Sequence, residues 1–285
     1  MNVVIEDDSK KKKKLRIFYI GILITCILAV VLTIVLQVKG NDTIVGDTTK
    51  LPQVADAQKS QYKEKFESIF DNKVNYLENN SYKISRIDNN NKEIIYIGYK
   101  NQDNKINDYE LDVNIPYINI DNSIIEDFNT QIKDIFEKKA KSIINTQNNN
   151  VIYTVNYSAY VSNNILSLVI RSTLKEGMNP QRDIIQTYNY DLTNQKEYTI
   201  DEILTAKGIT KKEANQKIKD EIKEQQEKAD ELAKLGYTTY KRDYTSDMYS
   251  INNVTEYFLG EDNALYIIYA YGNENNTNEM DVVIM

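Results

Sequence analysis

The spacing of hydrophobic and polar positions changes several times along this chain, and each change predicts an element. The first stretch, Ile17 to Leu36, reads IFYIGILITCILAVVLTIVL and holds no charged residue. At about 1.5 Å per residue, such a helix covers the roughly 30 Å hydrocarbon core of a bilayer. Lys10 to Lys14 and Arg16 stand before it, whereas the next basic residues after it are Lys39 and Lys50. Basic residues collect on the cytoplasmic side of a span, so the pattern predicts a cytoplasmic tail at 1–16 and a transmembrane helix at 17–38. All that follows is then extracytoplasmic, in a single-pass protein of the cell membrane. Residues 39–58 are polar and without a period, and read as a linker.

Helical spacing appears next. Tyr62, Phe66, Ile69, Phe70, Val74 and Leu77 predict an amphipathic helix from Lys59 to about Leu77. Strands are expected at Tyr82–Ile84, Glu93–Tyr99 and Tyr109–Ile115, the last with strict alternation. Asn122 to Ile144 is the clearest helix. Ser123 with Glu126 reads as its capping box, and Ile125, Phe128, Ile132, Ile135, Phe136, Ala140 and Ile143 form one stripe. From Val151 the period becomes two, through Val161, then Leu166–Leu174 and Ile184–Leu192, an antiparallel meander with Asn163-Asn164 as a tight turn. A short helix from Asp201 stops at Gly208. Thr210 with Glu213 opens another that runs to Leu235 and Gly236. A tyrosine-rich loop and three strands, Val254–Leu259, Ala264–Tyr271 and Met280–Ile284, end the chain. The expected fold class is α+β: one transmembrane helix, then an extracytoplasmic region of antiparallel sheets packed by two long helices. Two subdomains are expected, at 59–149 and 150–285.

Charge and composition narrow the function. The chain holds 35 basic and 42 acidic residues. Without the six basic and three acidic residues of the tail, the outer part has 29 against 39, a net charge of −10. Such a surface repels nucleic acid and attracts basic proteins. Histidine is absent, which excludes Ser-His-Asp and Cys-His catalysis and any imidazole zinc site. Cys26, within the span, is the single cysteine, so the outer region must hold together by its core alone. Asp201/Glu202 and Glu261/Asp262 are paired carboxylates, but a helix start and a turn favour acids for structural reasons. No enzyme activity, cofactor or metal is expected.

Four segments carry a resemblance. They are IPYINIDNSIIEDFNTQI (Ile115–Ile132), NNILSLVIRS (Asn163–Ser172), TYNYDLTNQKEYTIDEIL (Thr187–Leu204) and YFLGEDNALYIIYAYG (Tyr257–Gly272). In this order they resemble the extracytoplasmic region of the RsiV-like anti-sigma-V factor family, a tandem domain also found in wall polysaccharide deacetylases. The deacetylase catalytic domain has no counterpart in this chain. The resemblance implies a sensor that binds lysozyme, responds to envelope stress and controls an extracytoplasmic-function sigma factor through its own proteolysis. It implies that Tyr269, Ala270 and Tyr271, at the end of the last hairpin, contact the partner, with Ser167 and Met178 as further candidates. An alternative for the tyrosines is that they simply line a sheet. The resemblance also implies cutting by signal peptidase and then by an intramembrane protease. Ala55-Asp56-Ala57 is the small-x-small site available. The 16-residue tail is shorter than the family's sigma-holding segment. The alternative function is therefore an anchored lysozyme- or wall-associated binding protein with no sigma-factor role.

Overall fold

A computed structural model describes residues 51–147, 150–272 and 277–285. They belong to one compact unit, Thr49–Met285. Helix α1 (Asp56–Lys65) ends in a 3₁₀ turn, Phe66–Ser68, and strand β1 (Lys73–Tyr76) follows. The helix expected from Lys59 to Leu77 thus stops early. Asn72 adopts a left-handed conformation (φ 60°), and Lys73–Tyr76 pair in parallel with Ser158–Val161. Partner strands override helical spacing here.

Strands β2 (Ile95–Lys105), β3 (Tyr109–Ile118), β4 (Val151–Ser162), β5 (Ile165–Glu176), β6 (Arg182–Asp191) and β7 (Lys196–Glu197) lie side by side in that order. Tyr82–Ile84, expected as a strand, is not one. Between β3 and β4 run α2 (Ser123–Ile132), a π turn (Lys133–Glu137) and α3 (Lys138–Asn145). The residue that caps α2 is Asn122, whose side chain accepts from Ile124 N at 3.0 Å, rather than Ser123. Of the predicted stripe, Ile125, Phe128, Ile132, Phe136, Ala140 and Ile143 are buried against Val155, Tyr157, Leu168 and Tyr190 of the sheet, whereas Ile135, also expected in it, is 44% exposed. Burying each large apolar side chain contributes about 1.5–3 kcal/mol.

The expected fold class needs correction in three places. The seven-stranded sheet is mixed, because β4 runs parallel to both β3 and β1. The helical crossover explains this: it returns the chain to the end where β3 began, so β4 must run the same way as β3. The sheet also continues across residue 150, so no subdomain boundary falls there. Finally, among the described residues no helix is long and apolar enough to cross a membrane. The span expected at Ile17–Leu36 lies outside the described residues.

Helices α4 (Ile200–Lys207) and α5 (Lys211–Lys234) start at capping boxes, Thr199/Glu202 and Thr210/Glu213. Strands β8 (Glu256–Leu259), β9 (Leu265–Ala270) and β10 (Met280–Ile284) form a second, antiparallel sheet in the order β10-β9-β8. One face of this sheet packs Phe258, Tyr266, Ile268 and Val282 onto Tyr160, Val169 and Ile185 of the large sheet. Its other face packs Leu265, Ile267 and Val283 under Ile203, Ile218 and Ile222 of α4 and α5. The layers are therefore helix, large sheet, small sheet, helix. The expected linker is also shorter, since Leu51 and Val54 are buried in these cores.

Candidate binding surface

The strand register brings several turns to one end of the large sheet. Lys105 pairs with Tyr109, Tyr109 with Val151, and Val151 with Glu176. The β2–β3 turn, the α3–β4 connection and the β5–β6 turn therefore stand side by side. Gly177 N donates to Asn150 O at 3.2 Å, tying two of them together. The β9–β10 connection joins them at its base. A Cβ on Gly272 would lie 2.2 Å from Asp183 O and 2.8 Å from Thr277 O, so only glycine allows this approach. Residues 273–276 of that connection lie outside the described residues.

Side chains at this end are unusually open. Met178 is 98% exposed and Ile106 is 86% exposed. Beneath them, polar groups are paired. Arg171 meets Asp183 at 2.8 Å, Lys139 meets Glu176 at 2.8 Å, and Lys105 meets Asp108 at 2.6 Å. Two exposed apolar side chains on turns braced by ion pairs offer a contact surface on a rigid frame.

The other sequence candidates lie elsewhere. Tyr269 and Tyr271 alternate onto the face of β9 that packs under α5, and both are buried. Tyr269 meets Tyr249 edge to face, with ring centres 5.0 Å apart. Tyr271 stacks on Tyr240 at 4.3 Å, and its hydroxyl donates to Asp281 Oδ2 at 2.9 Å. Their expected role as an outward aromatic tip is corrected: alternate tyrosines of this strand line a sheet. Ala270 is half-buried on the opposite face. Burial, followed by the Asp281 charge, pushes the Tyr271 phenol well above its ordinary value. Arg242 completes the cluster through Asp281 at 2.5 Å and Glu279 at 2.9 Å. Burial works against its charge, but these two carboxylates outweigh that and raise its pKa. Arg242 and Asp281 are not among the expected site residues; the sequence signal for Arg242 is an arginine within the tyrosine-rich loop.

Ser167 is 1% exposed and sits between the two sheets. Its Oγ donates to Asn189 Oδ1 at 2.7 Å and accepts from Leu259 N at 3.2 Å. A contact role for Ser167 is corrected to an interior one: it ties the small sheet to the large one. Ala55, expected at a cleavage site, is the N-cap of α1, and Ala57 lies within that helix. Glu202 is occupied in its capping box, and Asp262 accepts from the Tyr62 hydroxyl. Among the described residues no three His, Cys, Asp or Glu side chains group as metal ligands.

No protein-family model matches the chain, and no curated protein does. Solved structures do match it. Two of them are DUF3298 family proteins. One, from Pseudomonas aeruginosa PAO1, is 9% identical, with a TM-score of 0.38 over 72% of this chain and 91% of its own. Another, from Bacteroides fragilis, is 11% identical, with a TM-score of 0.32 over 62% of this chain and 81% of its own. These DUF3298 neighbours are distant in both sequence and shape.

Proposed function

We propose that this chain is an extracytoplasmic sensor held at the cell membrane. Its loop end receives a basic wall-attacking protein, lysozyme by the sequence resemblance, and its own proteolysis then regulates a sigma factor. The observation that carries the binding part is the meeting of Ile106, Met178 and the base of the β9–β10 connection at one end of an acidic protein. Opposite charge speeds encounter, and exposed apolar side chains on fixed turns supply contact area. The resemblance to RsiV-like proteins supports the choice of partner and the sigma-factor role.

The test is calorimetric titration of the full chain with lysozyme at low and high salt. Binding that weakens as salt rises is expected, with a loss of at least tenfold in a Met178→Arg, Ile106→Arg double variant. No binding at low salt defeats the lysozyme reading. Full binding by the double variant moves the contact away from the loop end.

A second reading, a binding protein with no sigma-factor role, is favoured by one observation. Leu51 and Val54 are buried and Ala55 caps α1, so the small-x-small site belongs to the folded unit. Capture of a sigma factor by the full chain separates the two readings.

A further inference from the structure

The tyrosine-rich loop after α5 meets the small sheet through tyrosines. Tyr240 of the loop stacks on Tyr271, just past β9, with ring centres 4.3 Å and planes 24° apart. Other tyrosine pairs lie farther apart. Tyr249 and Tyr269 meet edge to face at 5.0 Å. Tyr96–Tyr117, Tyr188–Tyr190 and Tyr62–Tyr266 are 6.2, 6.3 and 6.5 Å apart.

The two stacked rings differ in setting. Tyr240 is half-buried, in a loop that also carries the exposed Tyr237 and Tyr244. Tyr271 is 2% exposed. Its hydroxyl donates to Asp281 Oδ2 at 2.9 Å, so in the 2.7 Å contact between the two hydroxyls Tyr249 is the donor. A phenol that loses an electron becomes a very strong acid, and electron loss is easy only where the proton has an acceptor in reach. The Asp281 carboxylate is such an acceptor, already in hydrogen-bond contact. Once the proton has left, Tyr249 still donates to the Tyr271 oxygen. The Arg242 guanidinium lies 5.5 Å from the centre of the Tyr240 ring. Positive charge over a ring face opposes loss of an electron from that ring. An electron vacancy that enters at Tyr240 therefore passes to Tyr271.

We propose that Tyr240 and Tyr271 join in a covalent dityrosine bond when the protein meets a one-electron oxidant, stapling the loop to the small sheet. One equivalent of oxidant takes an electron from Tyr271, and the hydroxyl proton goes to Asp281. A second equivalent takes an electron from Tyr240, whose proton goes to water. The two radicals couple through ring carbons next to the hydroxyls, forming one C–C bond. The hydrogen on each of those carbons then moves to the oxygen of its own ring, which restores both phenols. In sum, two oxidant molecules each gain one electron and two protons are released. The stack holds the reacting rings together, so coupling within the chain outpaces coupling between chains. The one cysteine of the chain is Cys26, so no disulfide can hold this loop. A cross-link constrains the unfolded chain and stabilises the fold. The proposal does not depend on which partner the loop end receives.

The test exposes the full chain to tris-bipyridyl ruthenium(III), a one-electron oxidant generated photochemically with persulfate. Tryptic digestion and tandem mass spectrometry locate the products. A dityrosine between Tyr240 and Tyr271 of one chain is expected, with a higher denaturant midpoint for the oxidised protein. Tyr240→Phe keeps the stack without the phenol, and should lower the dityrosine fluorescence of the monomer at least fivefold. Tyr237→Phe removes the most exposed phenol of the loop and should leave the yield unchanged. Oxidation in denaturant, with the rings apart, should abolish the product. Products confined to Tyr237 and Tyr244 would overturn the proposal. An equal yield in denaturant, or undiminished fluorescence in Tyr240→Phe, would overturn it too.

Discussion

The hydroxyls of Tyr249 and Tyr271 lie 2.7 Å apart inside the protein, and that of Tyr271 also reaches Asp281 at 2.9 Å. Arg242 Nε donates to that same oxygen, Asp281 Oδ2, at 2.5 Å. A buried carboxylate must be paired and fully hydrogen-bonded. The tyrosines therefore serve to make Asp281 tolerable, and Asp281 in turn fixes the loop after α5 onto β10.

Tyr271→Phe should therefore cost stability and leave partner binding alone. A hydrogen bond to a charged group contributes about 1.5–3 kcal/mol, and the ring keeps its stacking on Tyr240. Denaturant midpoints measure the loss, and titration with lysozyme should return the parent affinity. A loss of affinity with unchanged stability would put Tyr271 back on the binding surface.

Glu256 gives a pH signature at the junction of the two sheets. Its carboxylate accepts from Thr187 N at 2.7 Å and from Thr187 Oγ1 at 3.1 Å. Burial nevertheless pushes its pKa up from 4.5 to about 7, with the Thr187 bonds opposing. The folded state then holds more protons than the unfolded state between these two values. The contribution of Glu256 is fully present below pH 4.5 and is lost as pH rises through 7. Melting curves over this range should show the parent losing stability relative to Glu256→Gln. Parallel curves would exclude the effect.

Much of this architecture was legible from local pattern. The stripe of Ile125, Phe128 and Ile132, the Asn163-Asn164 turn and the stop at Gly208 each depend on neighbours in sequence. What was illegible depends on partners far along the chain. Val74 looked helical until β4 offered it a parallel strand. Tyr269 and Tyr271 were expected at a binding tip by the resemblance, and their alternation marks a strand without saying which face is covered. The residue that covers them, Tyr249, follows a loop with no period. Ser167 was singled out by likeness alone, and its bonds to Asn189 and Leu259 come from two other strands. Met178 sits in a turn, where exposure follows from position.

Met178→Ala should change the melting temperature very little, because the side chain is 98% exposed and packs on nothing. Gly272→Ala should do the opposite. Its new Cβ meets the Asp183 backbone, so the base of the β9–β10 connection must shift. Both variants should weaken lysozyme binding if the loop end is the contact. Binding unchanged in both would remove this end from consideration.

Lys207 fastens the start of the folded unit. Its Nζ donates to Pro52 O at 2.9 Å and to Asn263 O at 3.0 Å, while its own carbonyl accepts from Gln53 Nε2 at 2.6 Å. Next to it, Leu51 N donates to Ala206 O at 2.9 Å. The last carbonyls of α4 thus hold residues 51–53 in place of water. Both acceptors of the ammonium are neutral, and the side chain is buried. Burial, then the charge of Lys59, lowers its pKa from 10.5 to about 8. Below pH 8 both states carry the proton and the folded state bears the penalty. Between 8 and 10.5 the unfolded chain holds more protons, so stability rises with pH, by at most roughly 3 kcal/mol in all. Lys207→Met should abolish this rise. It should also leave Pro52 O and Asn263 O without their donor, loosening residues 51–55 and speeding limited proteolysis before α1. Denaturation of parent and variant at pH 7 and pH 10 measures the first effect, and the mass of the cut fragment the second. A parent whose stability is level across that range would show that Lys207 keeps its ordinary pKa. Unchanged proteolysis of the variant would show that the bond to Pro52 does not hold residues 51–55.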